Sequence, residues 1–91
     1  GYPDCKPIYY EIFNKLINVG TRPTTNIKVE TPLIRKTKSE IVKIGISMKV
    51  PFHLSWSCYK NTDKACGICH SCFLRLKAFK ESDINDPIAY V

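Results

Sequence analysis

The sequence contains no apolar run approaching the roughly 20 residues that a membrane span requires, so a spanning helix is excluded and a soluble chain is expected. It also has no charged segment followed by an apolar h-region and a cleavage site, which argues against a secreted disulfide scaffold, as does its odd count of five cysteines. Histidine is scarce, at two residues in 91. There is no internal repeat, no low-complexity tract and no block of like charge. The 14 Lys and Arg against 8 Asp and Glu give a formal charge of +6. These basic residues are spread along the chain and read as a solvated face more readily than as a nucleic-acid surface.

What is present in abundance is cysteine near the end. Cys66-Gly67-Ile68-Cys69-His70-Ser71-Cys72 places three thiols in one tight stretch, and Cys58 lies eight residues upstream. The pattern C-x7-C-x2-C-x2-C reads as a clip for one Zn²⁺, with Gly67 turning the backbone so that successive sulfurs reach the same ion. A disulfide pair and a redox CxxC are the rival readings. Four thiolates leave no coordination position for water or substrate, so a bound zinc is expected to be structural. Binding Zn²⁺ to four ionised thiolates brings the net charge to about +4. Ninety-one residues make at most one domain with a thin core, for which a metal staple is a sensible supplement. Reduced cysteines point to the cytoplasm.

Local patterns predict mostly helical structure with one short strand. Asp4 as N-cap, Pro7 in the first turn and Ile8, Ile12, Leu16 and Val19 at helical spacing predict an amphipathic helix ending at Gly20. Ile27–Thr31 alternates apolar and polar residues as a strand does, and Pro32 closes it. Thr37-Lys38-Ser39-Glu40 is a capping box opening a second helix to about Lys49, with Ile41, Ile44 and Met48 as its buried stripe. Pro51 interrupts it, and an irregular connector leads to Cys58. Cys69, Cys72, Leu76 and Phe79 fall on one face of a third helix, after which a short polar tail is expected beyond Asp83.

Single residues carry paired readings. Cys5 is either a nucleophile at a helix start or, better, a small packed thiol. Asp4 caps a helix or accepts hydrogen bonds from a purine-like base. His53 and His70 are surface or packing residues if four sulfurs fill the shell. Phe52 and Trp56 are expected to pack over the site. Arg75 and Lys77 either stabilise the thiolates or belong to a solvated helix face.

Several stretches together resemble one family: Gly1-Tyr2-Pro3-Asp4-Cys5, Thr31-Pro32-Leu33-Ile34 with Lys38-Ser39-Glu40-Ile41, Val50-Pro51-Phe52, Trp56-Ser57-Cys58-Tyr59, the Cys66–Cys72 run with Arg75 and Phe79, and the closing Asp86-Pro87 with Tyr90. In order and spacing they are similar to the C-terminal part of the 7-cyano-7-deazaguanine synthase family. The resemblance implies an α/β fold of the adenine-nucleotide alpha-hydrolase (HUP) type. It also implies a pyrophosphatase-loop ligase that uses ATP to convert 7-carboxy-7-deazaguanine and ammonia to the nitrile, a queuosine and archaeosine precursor. In that family a Ser-Gly-Gly-x-Asp-Ser loop holds the nucleotide and lies N-terminal to the part represented here, and Gly1 falls within a continuous motif of the family. Residues 1–91 are therefore expected to be the zinc-bearing portion of one catalytic domain, inactive alone, with no catalytic residue of its own.

The resemblance places Tyr2, Asp4 and Lys6 near the substrate. It further implies zinc at Cys58, Cys66, Cys69 and Cys72, a homodimer, and no direct contact with nucleic acid or membrane. Two positions depart from the family pattern: Lys6 stands where arginine is usual, losing a bidentate fork, and Ile88 stands where Asp-Pro-Thr is common. Two rival classes remain, a stand-alone zinc module that binds nucleic acid with steep salt dependence, and a purely structural or dimerising domain.

Overall fold

Pro3–Cys5 form a single 3-10 turn, and α1 (Pro7–Gly20) follows it directly in the computed structural model, which describes residues 1–91. Asp4 sits inside that turn. The N-cap of α1 is Lys6, which makes no side-chain cap bond, and Pro7 opens the helix, where its missing N–H costs nothing. At the other end the Thr21 N–H and Oγ both donate to the Ile17 carbonyl, at 3.1 and 2.8 Å.

The expected strand at Ile27–Thr31 is not formed. That segment is irregular, and its partner is a side chain: the Asn14 amide donates to the Val29 carbonyl at 3.2 Å and accepts from the Val29 N–H at 2.8 Å. One carboxamide thus supplies the donor and acceptor that a neighbouring strand would otherwise provide. Pro7, Tyr10, Asn14 and Ile17 form the partly covered face of α1. The apolar stripe read from the sequence points the other way, with Ile8, Ile12, Leu16 and Val19 54%, 59%, 61% and 82% exposed. The periodicity is real, but none of these four side chains is buried.

Residues 1–36 make one compact unit and 37–91 a second. The second is built on α2 (Lys38–Ser47) and α3 (His70–Glu81). Thr37 caps α2 by accepting the Glu40 N–H at 3.2 Å, as the capping box predicts. The buried positions of α2 are Val42 and Gly45; Ile41 and Ile44 flank them and Met48 is exposed, so the expected stripe is rotated by one residue. The reason is Phe52. Its ring, carried on a 3-10 turn at Phe52–Leu54, lies against Gly45 and meets Phe79 edge-on at 5.4 Å. Val42, Ala78 and Phe79 complete this core, and the Ser82 hydroxyl spans both helices by reaching the Ser39 and Ala78 carbonyls.

Both helices end in left-handed residues, Lys49 (φ 58°) and Asp83 (φ 55°). In each case the next N–H returns to the helix, Val50 to Gly45 at 2.9 Å and Ile84 to Phe79 at 3.1 Å, as in a Schellman cap. No helix is long and apolar enough to cross a membrane.

A Cβ at position 45 would collide with the Phe52 ring. Gly45→Ala is therefore expected to destabilise the second unit by about 2 kcal/mol through overpacking, despite alanine's better helix propensity. Urea unfolding of the metal-loaded chain tests this: a stabilised variant would show that the ring moves freely.

Candidate metal centre

Cys58, Cys66, Cys69 and Cys72 converge, with all four sulfurs within 4.8 Å of one another. A tetrahedral Zn–S shell at ordinary bond length has S···S edges of about 3.8 Å, and the Cys66 and Cys72 sulfurs stand 4.0 Å apart. All five cysteines are unpaired, so the quartet is not a disulfide pair.

Each ligand is set by local backbone. Cys58 follows the Phe52 turn, and the Trp56 indole N–H donates to its carbonyl at 3.0 Å. Its sulfur accepts the N–H groups of Lys60, Asn61 and Cys66 at 3.3 to 3.4 Å. Gly67, at φ +74°, makes the turn between the next two ligands, and the Cys66 sulfur accepts the Cys69 N–H at 3.3 Å. Cys69 is the N-cap of α3, its sulfur accepting the Cys72 N–H at 3.4 Å, and Cys72 on the first turn of the helix is fully buried.

The electrostatics fit a cation. The Cys66 N–H, with those of Asn61 and Lys60, lowers the Cys58 thiol to about 6 against the opposing effect of burial. Cys69 is lowered by the N–H groups of Tyr59 and Cys72. Cys72 is pushed up to about 12, because burial denies its thiolate any water. Amide donors aimed at three sulfurs, beside a buried fourth sulfur that only a nearby positive charge would ionise, make a cradle for a divalent thiophilic ion.

The rest of the sequence reading divides. His53 and His70 are exposed and outside the cluster. Trp56 touches a ligand's backbone, whereas Phe52 belongs to the Val42 core. Cys5 is exposed, which overturns the packed-thiol reading, because the 3-10 turn carries it outward. Tyr2, Asp4 and Lys6 are exposed around that same turn, Tyr2 by 68%.

Arg75 is the largest correction. It serves neither the thiolates nor a solvated face. It is buried, giving its Nε and Nη2 to the two Asp86 oxygens at 2.6 and 2.9 Å, its Nη1 to Ser57 at 3.3 Å and its Nη2 also to the Phe52 carbonyl at 3.4 Å. It takes the inward position assigned to Leu76, which is 37% exposed. Lys77 remains on the outer face near Glu81.

The supposed polar tail is structural as well. Asp86 accepts the Tyr90 hydroxyl at 2.6 Å, while Ile88 and Tyr90 pack against the cysteine cluster. Burial opposes the Asp86 charge, but the hydrogen bonds from Arg75, Tyr90 and the Ile88 N–H prevail and hold the carboxyl below its ordinary range. Burial and the Asp86 charge together raise the Tyr90 phenol. The closing Asp86-Pro87 with Tyr90, part of the family resemblance, is the signal the sequence holds for it.

The unit defined by these features is a small helical body with four sulfurs placed to hold one metal ion, and with no sheet. Residues 1–83 match the family model described as Queuosine biosynthesis protein QueC, and the chain belongs to that family. Among similar curated proteins, 7-cyano-7-deazaguanine synthase of Chlorobium chlorochromatii is 57% identical over 90 residues, covering 99% of this chain and 40% of the relative. The proteins of the same name from Nautilia profundicola and Acidobacterium capsulatum are 51% and 54% identical over equal lengths, covering 99% of this chain and 40% and 39% of those relatives. The chain thus spans about two-fifths of the length of the relatives it matches. No solved structure matches it.

Proposed function

We propose that this chain is the metal-bearing portion of a 7-cyano-7-deazaguanine synthase, an ATP-dependent ligase of the HUP type that converts 7-carboxy-7-deazaguanine and ammonia to the nitrile. The observation that carries the reading is identity of 51 to 57% over 99% of the chain to proteins of that name. In this reading the four cysteines hold one structural Zn²⁺, which fixes the start of α3 and does no chemistry on the substrate. Tyr2, Asp4 and Lys6, exposed on one turn, supply substrate contacts: a ring to stack, a carboxylate to accept from a purine-like base, and a cation for an anionic group.

Activation of a carboxylate needs ATP and donors that stabilise its phosphates, which the reading assigns to the nucleotide loop of the larger protein. The outward stripe Ile8, Ile12, Leu16 and Val19 fits a helix that packs against further polypeptide in a cytoplasmic homodimer. Direct binding of nucleic acid is not expected, since the 14 basic residues are spread along the chain instead of forming a block.

The test joins this chain to the remaining sequence of the Chlorobium chlorochromatii relative, in place of that relative's own matching segment, and follows nitrile formation by mass spectrometry. The chimera should turn over and the 91-residue chain alone should not. A folded, metal-loaded chimera without product, or product from the chain alone, would overturn the reading.

A further inference from the structure

We propose that the segment Asp86–Val91 is a strap that controls metal exchange, keeping the loop that carries Cys66 and Cys69 closed over a bound cation. The inference rests on the reading of the four cysteines as a zinc site and goes beyond it by assigning the rate of metal release to residues that are not ligands.

The strap is attached at three places. Ala65, immediately before the ligand Cys66, is fully buried and has both backbone groups taken: its N–H donates to the Ala89 carbonyl at 2.8 Å and its carbonyl accepts the Val91 N–H at 3.0 Å. This is the isolated parallel bridge between Ala65 and Tyr90. The Tyr90 ring then lies over Gly67, within 3.6 Å of where a Cβ would stand there. Finally, the Tyr90 hydroxyl is held by Asp86, and Asp86 by Arg75, which lies on α3 three residues after the ligand Cys72. One short segment therefore ties the ligand loop to the ligand helix.

Ligand exposure shows why that tie sets a rate. Cys58 and Cys72 are buried, whereas Cys66 and Cys69 are only partly so. A chelator must displace sulfurs one at a time, and the two it reaches first sit on the loop that the strap holds at Ala65 and Gly67. Releasing the strap lets this loop swing away with its sulfurs, while the ligand set itself is unchanged. Tyr90 and Asp86 are thus positioning residues for the metal.

The test loads the chain with Zn²⁺, establishes one ion per chain, and follows transfer to excess 4-(2-pyridylazo)resorcinol by absorbance. Co²⁺ substitution reports whether four sulfurs still bind. Tyr90→Phe should release zinc several-fold faster, and a chain ending at Ile88 at least about 10-fold faster, the scale of losing an outer-shell partner, both with the four-sulfur cobalt spectrum retained. Met48→Ala, at an exposed position on the same unit that touches neither strap nor ligands, should release at the parent rate. Parent rates in Tyr90→Phe overturn the strap even if the shortened chain fails to fold, and so does equal acceleration in Met48→Ala. A parent chain that binds no zinc removes the metal reading and the strap with it, whereas normal stoichiometry with unchanged rates removes the strap alone.

Discussion

Cys72→Ser should cost the chain its metal and, with it, the cooperative folding of residues 37–91. Cys72 is the fully buried member of the quartet and sits on the first turn of α3, so its sulfur joins the metal centre directly to the helix. Serine keeps the size but offers a hard hydroxyl that does not ionise in a dry site, leaving three sulfurs and an open position. Affinity should fall more than about 100-fold, beyond what loss of an outer-shell partner produces. Because the buried apolar residues here are few and, Phe79 apart, small, the helical circular dichroism of this unit should fall as well, and chelation of the parent chain should reproduce that loss. Cys5→Ser, at the exposed thiol, should change neither property. Stoichiometric metal in purified Cys72→Ser would show that the fourth sulfur is dispensable.

The quartet was legible because its information is local. Eight-, three- and three-residue steps, with one glycine, place four sulfurs together almost regardless of the rest of the chain. The α2 cap was legible for the same reason, Thr37 and Glu40 being three residues apart. What escaped the sequence is what depends on distant partners. Ile27–Thr31 has the alternation of a strand, but alternation cannot announce that the partner is an amide on α1. The α1 stripe is plainly amphipathic, yet periodicity does not say whether the covering surface lies within these 91 residues. Arg75 reads from the sequence as a partner of the thiolates or as part of a solvated face, because arginines are mostly exposed and its carboxylate lies 11 residues away across a helix end. Burial of Arg75 in turn displaced Leu76 outward, so one unseen ion pair accounts for both errors on α3.

That pair should dominate the stability of the second unit after the metal. The Arg75 and Asp86 side chains are 8% and 3% exposed, and the guanidinium also stands 5.4 Å from the Phe79 ring centre. Asp86→Asn leaves a buried cation without its counter-charge and should cost about 3 to 5 kcal/mol, as should Arg75→Met, which strands the carboxylate. Combining Arg75→Met with Asp86→Leu should cost less than either charge-stranding single change, because no charge is left alone. Urea midpoints of the metal-saturated variants test this, and additive losses would show that the two residues act independently. The pH dependence has a definite sign. The folded Asp86 carboxyl lies below its ordinary value, so its contribution is fully present above the unfolded value of about 4. It is lost progressively as pH falls from there through the lowered folded value. Protonation of the cysteines weakens the parent and Asp86→Asn alike, so the informative quantity is the stability gap between them. That gap should be constant above about pH 5 and narrow below about pH 4, and a gap that widens with acid would mean that the carboxyl is protonated in the native state.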